Sequence, residues 1–400
     1  MLLMNPHPDY RRPLTAADAD LVSDMAAEQA QSFVAVEAEG GATPLRPLSG
    51  LAHALGLARL DVKDEASRMG LGSFKALGGA YAVTRLVLAE AERRLQRSLG
   101  PADLADDAVR AVASGITVAC ATDGNHGRSV AWGAARAGCR CVIFVHAGVS
   151  AARAAAIAAL GAEVVRVEGA YDDSVVHAAR ACETQGWLLV SDTSWSGYER
   201  TPGLVMQGYT VLVAEALAVL IRPPTHVFVQ AGVGGLAAAV AARLETMFGQ
   251  ARPCLVVVEP ERAACLFESV RQGCSSRIPQ QEPTVMAMLE CYEPSLVAWR
   301  ILTRCADAFM TIPDEAAVEV MNRLARPGGG DPPIVAGESG GAGLAGLIQV
   351  CRDDRAREAL RLDDAARVLV INSEGATDRQ RYLELVGLAP EAVCELGEPR

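Results

Sequence analysis

The stretch HVFVQAGVGGLAAAVAARLETMF, residues 226–248, decides the fold because it joins an apolar strand, a glycine turn and an alanine-rich helix. The same alternation recurs at CVIFVH and AARAAAIAAL, at EVVRV and DSVVHAARACETQ, and at CLVVVEP and AACLFESVRQ. Repeated strand and helix units are typical of mostly parallel sheets covered by helices on both faces. The sequence therefore predicts an α/β fold with ligands bound beyond the carboxyl ends of the strands.

Glycine and proline clusters at 40–50, 222–224 and 327–343 interrupt the pattern, but none has the composition of a flexible linker. At roughly 100 to 200 residues per domain, a chain of this length is expected to form two to three domains. Two domains interleaved in sequence fit these interruptions better than two domains joined end to end.

The composition excludes several classes of protein. Apolar residues make up 50% of the chain and charged residues 21%, which is typical of large buried cores rather than disorder. The formal net charge of -11 provides no general basic field for nucleic acid or an anionic membrane. No run approaches about 18 apolar residues. The N-terminal MLLMNPHPDYRRP lacks the apolar core of a signal peptide, so we expect a soluble, cytoplasmic protein.

Cysteine and histidine spacing indicates neither a disulfide framework nor a metal site. The eleven cysteines show no paired CxxC spacing, and an odd number fits reduced thiols. The six histidines form no HExxH or HxH cluster. We therefore predict no bound metal.

Lysine is nearly absent, because only Lys63 and Lys75 occur among 37 basic residues. Lys75 lies in SFKALGGAY at the apparent start of a helix, where the macrodipole repels an ammonium and would lower its pKa. A lowered pKa favours an amine that can form an imine; the alternative is a solvated surface lysine. Lys63 lies among the carboxylates of DVKDE and is expected to be ion-paired.

The glycine turn QAGVGGL, 230–236, is a candidate phosphate cradle, since glycines let backbone amides converge where a helix begins. It also matches the dinucleotide pattern GxGxxA from Gly232 to Ala237, with Glu259 at the end of the next strand. The pattern alone would fit an NAD-dependent dehydrogenase, and it would also fit a tight turn without a ligand.

Three further motifs follow apparent strands. The loop ATDGNHGR, 121–128, could bind a carboxylate through its amides, and Asn125 could bond a hydroxyl or phenolate. A helix N-cap is the simpler use of this loop, and His126 equally fits a structural role. GESGGAGL, 337–344, and VINSEGATD, 370–378, complete a set that a shared cofactor site would require.

In chain order, SFKALGGAY, DGNHG, QAGVGGL, GESGG and INSEG resemble the fold-type II pyridoxal-phosphate enzymes, the family of threonine dehydratase and the tryptophan synthase β chain. Longer strings, among them SDTSWSGYERTPGLVMQGY and PTVMAMLECYEPSLVAW, are similar to its 2,3-diaminopropionate ammonia-lyase subgroup. The resemblance implies two open, mostly parallel sheets with helices on both faces. It also implies a larger domain of residues 1–78 and 206–400, a smaller domain of residues 79–205, and a homodimer.

The resemblance also implies pyridoxal 5'-phosphate as cofactor and assigns residues to it. Lys75 would bind it as an imine, Phe74 would pack near its ring and Asn125 would bond its phenolate oxygen. Its ring nitrogen would meet Ser373, with Asn372 as the alternative. The residues expected to hold its phosphate are Gly232, Val233, Gly234, Gly235 and Leu236. Those expected to bind the substrate carboxylate are Thr122, Gly124, Asn125 and His126.

The chemistry implied is α,β-elimination of ammonia from 2,3-diaminopropionate, giving pyruvate and two ammonia. Lys75 would be the base for one enantiomer and Asp123 for the other, so we expect activity on both. Asp192 would attract the β-ammonium and select a diamino acid over serine, although a turn aspartate is the simpler interpretation.

Other functions fit part of the pattern. The alternatives are a serine or threonine dehydratase, a β-replacement synthase, a dehydrogenase that leaves Lys75 without a role, and a non-catalytic binding protein. The sequence departs from the subgroup at Tyr292 and Ser295, where we expect GEPN instead of YEPS, and at Ala376, where we expect an acid. Cys265 and Cys291 lie in segments near the implied entrance, and we expect free thiols there rather than a disulfide.

Overall fold

A computed structural model describes residues 1–37, 41–122, 124–169 and 171–396. Its strands within these ranges are β1 (Leu2–Met4), β2 (Leu45–Pro47), β3 (Arg59–Asp64), β4 (Thr117–Ala121), β5 (Arg140–His146), β6 (Glu163–Val167), β7 (Leu188–Leu189), β8 (His226–Gln230), β9 (Cys254–Pro260), β10 (Ala308–Ile312) and β11 (Arg367–Asn372).

The α-helices of the same ranges are α1 (Ala16–Leu21), α2 (Asp24–Glu37), α3 (Ser49–Ala54), α4 (Lys75–Leu95), α5 (Asp107–Ala113), α6 (Asn125–Ala137), α7 (Ala151–Ala158), α8 (Tyr171–Gln185), α9 (Arg200–Val219), α10 (Gly235–Phe248), α11 (Cys265–Gln272), α12 (Leu296–Cys305), α13 (Asp314–Ala325), α14 (Ala342–Cys351), α15 (Asp354–Leu360), α16 (Arg379–Val386) and α17 (Pro390–Glu395).

The strands form two sheets. The larger has the order β1-β10-β9-β8-β11-β3-β2, and its two edge strands are antiparallel to their neighbours while the others run parallel. The smaller has the order β6-β5-β4-β7 and is parallel throughout. The predicted α/β fold with two mostly parallel sheets is confirmed.

The deciding stretch folds as its pattern predicts. Strand β8 is buried at all five of its residues, as a central parallel strand with both faces covered should be. Helix α10 begins at Gly235, directly after the glycine turn, and its alanines pack in the main core. The loop between them therefore lies at the carboxyl end of a central strand.

Helices α4 and α9 pack closely beside the larger sheet. A Cβ at Gly208 of α9 would lie 2.9 Å from the Cα of Gly78 in α4, so the glycines permit backbone contact between the two helices. Helix α9 is long and apolar enough to cross a membrane, but 61% of its apolar window is buried inside the protein. It is thus packed as a core helix, and it supports the start of α4.

The strands of the smaller sheet lie between residues 117 and 189, and those of the larger sheet lie before and after them in the chain. The domain boundaries expected after residues 78 and 205 fall inside helices α4 and α9. The division into domains remains a prediction.

Carboxyl ends of strands from both sheets meet at one pocket. Ala231 follows β8 and Ser373 follows β11 in the larger sheet, while Thr122 follows β4 in the smaller one, and all three line this pocket. Asp192, which follows β7, lines it as well. The fold therefore brings motifs that are distant in sequence to one place, as expected for parallel sheets.

Candidate active site

The pocket lies between the two sheets and contains about 950 Å³ of space free of protein atoms, part of which is open to solvent. Most of the site residues expected from the sequence line it. They are Phe74, Lys75, Thr122, Gly124, Asn125, His126, Asp192, Gly232, Val233, Gly234, Gly235, Leu236 and Ser373. Asn372 is not among the lining residues, and Asp123 lies outside the described residues.

Lys75 is the first residue of α4, and its Nζ donates a hydrogen bond to Oδ2 of Asp192. Burial alone would lower the pKa of Lys75, but the negative charge of Asp192 outweighs burial and raises that pKa above its ordinary value. We expected the helix N-terminus to lower this pKa, and that expectation is wrong. The ion pair keeps Lys75 protonated until something displaces Asp192.

Asp192 lies between two basic side chains. Burial would raise the pKa of its carboxyl group, but the positive charge of Lys75 and the hydrogen bond from its amine outweigh burial and hold that pKa well below its usual range. The carboxylate is therefore ionised at neutral pH and presents an anion to the pocket. Nothing in the local sequence SDT indicates that Asp192 pairs with Lys75, which lies 117 residues away in the chain.

His126 is buried beside the same aspartate. Its Nε2 is 2.7 Å from the carbonyl oxygen of Val190, so this nitrogen carries the hydrogen. Its Nδ1 is 4.0 Å from Oδ2 of Asp192 and has no hydrogen-bond partner among the described residues. Burial lowers the pKa of His126, so the ring is neutral and Nδ1 is an acceptor.

The glycine turn has the geometry of an anion cradle. Gly234 has a φ of 101°, which favours glycine, and a Cβ on Gly232 would lie 2.9 Å from Sγ of Cys291. The carbonyl oxygen of Val233 accepts a hydrogen bond of 2.9 Å from the amide of Ser295, which anchors the turn. Amides of the first turn of α10 have no acceptor within the helix, so they are available to a phosphate.

Ser373 and Asn372 have different surroundings at the end of β11. Nε2 of Gln230 donates to Oγ of Ser373 over 2.8 Å, which leaves the Ser373 hydroxyl hydrogen for another acceptor. Nδ2 of Asn372 instead donates to Oδ1 of Asp64 over 2.9 Å. The structure therefore favours Ser373 as the neutral hydroxyl facing the pocket. Gln230 is a site residue that we did not predict, although a buried glutamine ending an apolar strand was a usable signal.

Asn125 bonds a carboxyl group that sequence reasoning missed. Its Nδ2 donates to Oε2 of Glu374 over 2.5 Å, and both residues line the pocket. Burial, together with the charge of Glu338, raises the pKa of Glu374 to about 8. The only sequence signal was an acid at the end of the apolar strand RVLVIN.

Tyr209 is a second residue that the sequence did not indicate. Its ring centroid is 4.7 Å from that of Phe74, and its hydroxyl is buried without a hydrogen-bond partner among the described residues. Burial raises its pKa above its ordinary value, so the phenol stays neutral. Tyr209 supports Phe74 from helix α9 and leaves one polar atom for a ligand.

The loop before α6 is held by Thr122. Its hydroxyl oxygen accepts hydrogen bonds from the amides of Gly124, at 3.0 Å, and Gly127, at 3.1 Å. This turn directs the start of α6 towards the pocket, where Asn125 and His126 are its first residues. A helix start is a suitable site for a carboxylate.

The residues that depart from the expected subgroup pattern have structural partners. The Tyr292 hydroxyl donates to Oε1 of Glu290 over 2.8 Å. Oγ of Ser295 accepts from the amide of Ser194 over 3.0 Å and so connects the two loops beside the cradle. Cys265 and Cys291 are thiols, and no disulfide is formed within the described residues.

The pocket fits pyridoxal 5'-phosphate. One wall offers a glycine cradle that a Cβ would fill, which suits a phosphate. A lysine amine, an aromatic side chain and a neutral hydroxyl line the remaining space, which suits an aldehyde and a pyridine ring. The unpartnered hydroxyl of Tyr209 is explained most simply by a bound polar group.

Comparison with known proteins also indicates a pyridoxal-phosphate enzyme. Residues 36–374 match the family described as pyridoxal-phosphate dependent enzyme. A diaminopropionate ammonia-lyase of Escherichia coli (strain K12) is 38% identical over 380 residues, covering 94% of each chain. The E. coli enzyme's crystal structure in complex with an aminoacrylate-PLP azomethine reaction intermediate matches with a TM-score of 0.84 at 35% identity, covering 96% of this chain and 96% of that chain. A probable D-serine dehydratase of Chromobacterium violaceum is 27% identical over 360 residues, covering 84% of this chain and 79% of that protein.

Proposed function

The chain belongs to the pyridoxal-phosphate-dependent enzyme family, and from that premise we propose that it is a carbon–nitrogen lyase acting on 2,3-diaminopropionate. With one water the reaction gives pyruvate and two ammonia. The observation that carries the proposal is the ionised Asp192 beside Lys75 inside the pocket. An anion at this position suits a substrate with a second ammonium group, which serine and threonine lack.

Pyridoxal 5'-phosphate is the cofactor, and when bound it supplies an electron sink for the negative charge at the substrate α-carbon. The glycine turn from Gly232 to Gly235 would hold its phosphate and Lys75 its aldehyde carbon. Asn125 would bond its phenolate oxygen, and the Ser373 hydroxyl, held by Gln230, would donate to its ring nitrogen.

Asp192 has two competing partners during the reaction. Its bond to Lys75 raises the pKa of that amine, and a protonated amine cannot act as a base. A β-ammonium that binds Asp192 would remove this stabilisation of the Lys75 ammonium and lower its pKa. Substrate binding would therefore prepare Lys75 to take the α-proton of one enantiomer.

The leaving group also favours a diamino acid. A β-ammonium carries its own proton and departs as neutral ammonia, whereas a β-hydroxyl needs a proton donor. Asp192 is ionised, and His126 is neutral with its hydrogen on Nε2 bonded to the Val190 carbonyl. Neither is prepared to protonate a hydroxyl, so a serine dehydratase fits this pocket less well.

The opposite enantiomer presents its α-proton to the other face of the cofactor, and we assign its removal to Asp123. This residue lies outside the described residues. The support is its place in the ATDGNHGR loop, whose neighbours Thr122 and Gly124 line the pocket. Asp123→Asn is expected to lower turnover of the D isomer at least about tenfold more than that of the L isomer. Equal losses on both isomers would remove this assignment.

The decisive assay is pyruvate or keto acid release from D- and L-2,3-diaminopropionate, with L-serine and L-threonine in parallel. We expect both diaminopropionate isomers to be turned over far faster than serine. Keto acid formed mainly from serine or threonine would instead identify a dehydratase.

We further propose that the enzyme acts as a cytoplasmic homodimer without nucleic-acid or membrane partners. The support is the family resemblance and the formal net charge of -11. Sedimentation equilibrium of the purified holoenzyme tests the dimer, and a mass near that of one chain would exclude it.

A further inference from the structure

Two buried carboxyl groups interact electrostatically near Asn125, and the reaction described above does not use them. Glu374 follows strand β11, and Glu338 lies in the glycine loop before α14. Each is only 2% exposed. We call Glu374 and Glu338 the carboxylate pair.

The carboxylate pair has few partners for its oxygens. Oε2 of Glu374 accepts from Nδ2 of Asn125 over 2.5 Å, and Oε1 of Glu338 is 3.6 Å from a guanidinium nitrogen of Arg153. The other oxygen of each carboxyl group has no hydrogen-bond partner among the described residues. Arg153 is also 3.8 Å from Asp378, so one guanidinium group faces several acids.

Two buried carboxylates with so little compensation cannot both be ionised near neutral pH. Burial raises the pKa of Glu374, and the charge of Glu338 raises it further, while Asn125, Arg153 and the backbone amide of Ser339 lower it only in part. Burial also raises the pKa of Glu338, against the opposing charges of Arg153 and Arg381, with Asp378 adding to the rise. The pair therefore retains a proton at neutral pH.

Asn125 connects the pair to the cofactor site. Its Nδ2 carries two hydrogens, and the bond to Glu374 uses one of them and fixes the plane of the amide. The second hydrogen remains for an acceptor in the pocket. Ionisation of Glu374 would bring a negative charge next to that acceptor.

We propose that Glu374 is a positioning residue, which orients Asn125 towards the cofactor phenolate and, in its protonated form, keeps negative charge away from it. This inference rests on the proposed function for its cofactor. A purely structural role would affect folding alone. A positioning role also couples the cofactor's absorbance to the ionisation of the pair.

The first test follows the visible absorbance of the holoenzyme from about pH 6 to pH 10. We expect a titration step near the Glu374 pKa of about 8 in the unaltered protein. Glu374→Gln should abolish the step, and Glu338→Gln should move it to lower pH because a like charge is removed. An unchanged step in Glu374→Gln with cofactor bound would overturn the proposal, as would a Glu338→Gln step that does not move.

The second test measures the affinity of the cofactor-free protein for pyridoxal 5'-phosphate by fluorescence. Glu374→Ala should weaken it about fivefold or more through loss of one hydrogen bond, whereas Glu374→Gln should stay within about twofold. Glu37→Gln is the matched control, since this buried carboxylate bonds Arg136 at the other end of α6, 2.7 Å away. Equal affinities for Glu374→Ala and Glu374→Gln would contradict the positioning role.

The outcomes separate this inference from the proposed function. The absorbance step could change in both variants as expected while no pyruvate forms from diaminopropionate. That result would support the positioning role and remove the lyase assignment. Pyruvate release together with an absorbance step that is unchanged in both variants would support the lyase assignment and remove the positioning role. If Glu374→Gln does not fold, the Glu338→Gln shift decides the question alone.

Discussion

The two lysines of this chain both form ion pairs with partly buried carboxylates, yet only one opens onto the pocket. The Nζ of Lys63 donates to Oε2 of Glu215 over 2.5 Å and to the carbonyl oxygen of Thr43 over 2.6 Å, and its side chain is 1% exposed. The side chain of Lys75 is 20% exposed and has Asp192 as its partner. The difference lies in the surroundings and not in the presence of a salt bridge.

The Lys63 network has several charged partners, and only Glu215 among them is partly exposed. Arg68 bonds Glu65 through Nε at 2.9 Å and Glu215 through Nη2 at 2.6 Å, so two cations face two anions. Lys75 has one anionic partner and an open pocket beyond it. A cation held by several partners is structural, whereas one held by a single replaceable partner can react.

The direction of the pKa shift would have pointed to the wrong lysine. Burial lowers the pKa of Lys63 despite the charges of Glu65 and Glu215, whereas Asp192 raises that of Lys75 against burial. A lowered pKa usually marks a nucleophilic amine. Access to a pocket is therefore the more reliable guide here.

The largest effect is expected from removing the reactive amine. Lys75→Ala should reduce pyruvate release about 1,000-fold or more, since it removes both the cofactor anchor and a base. Borohydride treatment of the holoenzyme followed by peptide mass analysis should place the cofactor on Lys75 and not on Lys63. Labelling of Lys63 would invalidate the comparison.

Loss of Lys63, the lysine that does not reach the pocket, should affect stability instead of catalysis. Lys63→Met leaves Glu65 and Glu215 opposite Arg68 alone, and breaking such a buried pair is expected to cost about 3 to 5 kcal/mol of unfolding free energy. Urea denaturation of the cofactor-free protein measures it. Lys75→Met is the matched control and should cost less, because Asp192 remains beside an open pocket. The reverse order would show that Lys63 is not the structural lysine.

Asp192→Asn should produce a smaller loss that depends on the substrate. We expect kcat/KM for 2,3-diaminopropionate to fall about 100-fold, because the charge partner of the β-ammonium is lost, and that for serine to fall much less. Steady-state kinetics with both substrates provides the test. A uniform loss would assign Asp192 to positioning Lys75 alone.

The smallest effect concerns acid stability. The pKa of Asp192 is lowered in the folded protein, so the stability from its ion pair is present above its unfolded pKa of about 3.9 and is lost as pH falls through the folded value. The difference in Tm between Asp192→Asn and the unaltered cofactor-free protein should therefore stay constant from about pH 7 to pH 5. A difference that shrinks within that range would mean that Asp192 is not held ionised by Lys75.

Much of the site was predictable because its motifs are local. The glycine turn after β8 and the lysine at the start of α4 depend on residues within one turn or strand. The missed residues lack such a signal. Glu374 becomes a site residue only through Asn125, 249 positions away in sequence, and Tyr209 only because α9 packs against α4.

The sequence alone determined the α/β alternation, and it predicted the phosphate cradle and the reactive lysine, because periodicity and glycine spacing are properties of short segments and the lysine count needs no structure. Only the tertiary structure decided that Lys63 pairs with Glu215 as well as with the neighbouring Glu65. It also decided that Asp192 meets Lys75 and that Glu374 meets Asn125. The partners in these pairs are more than 100 residues apart in the sequence, and their geometry follows from packing that no local pattern encodes.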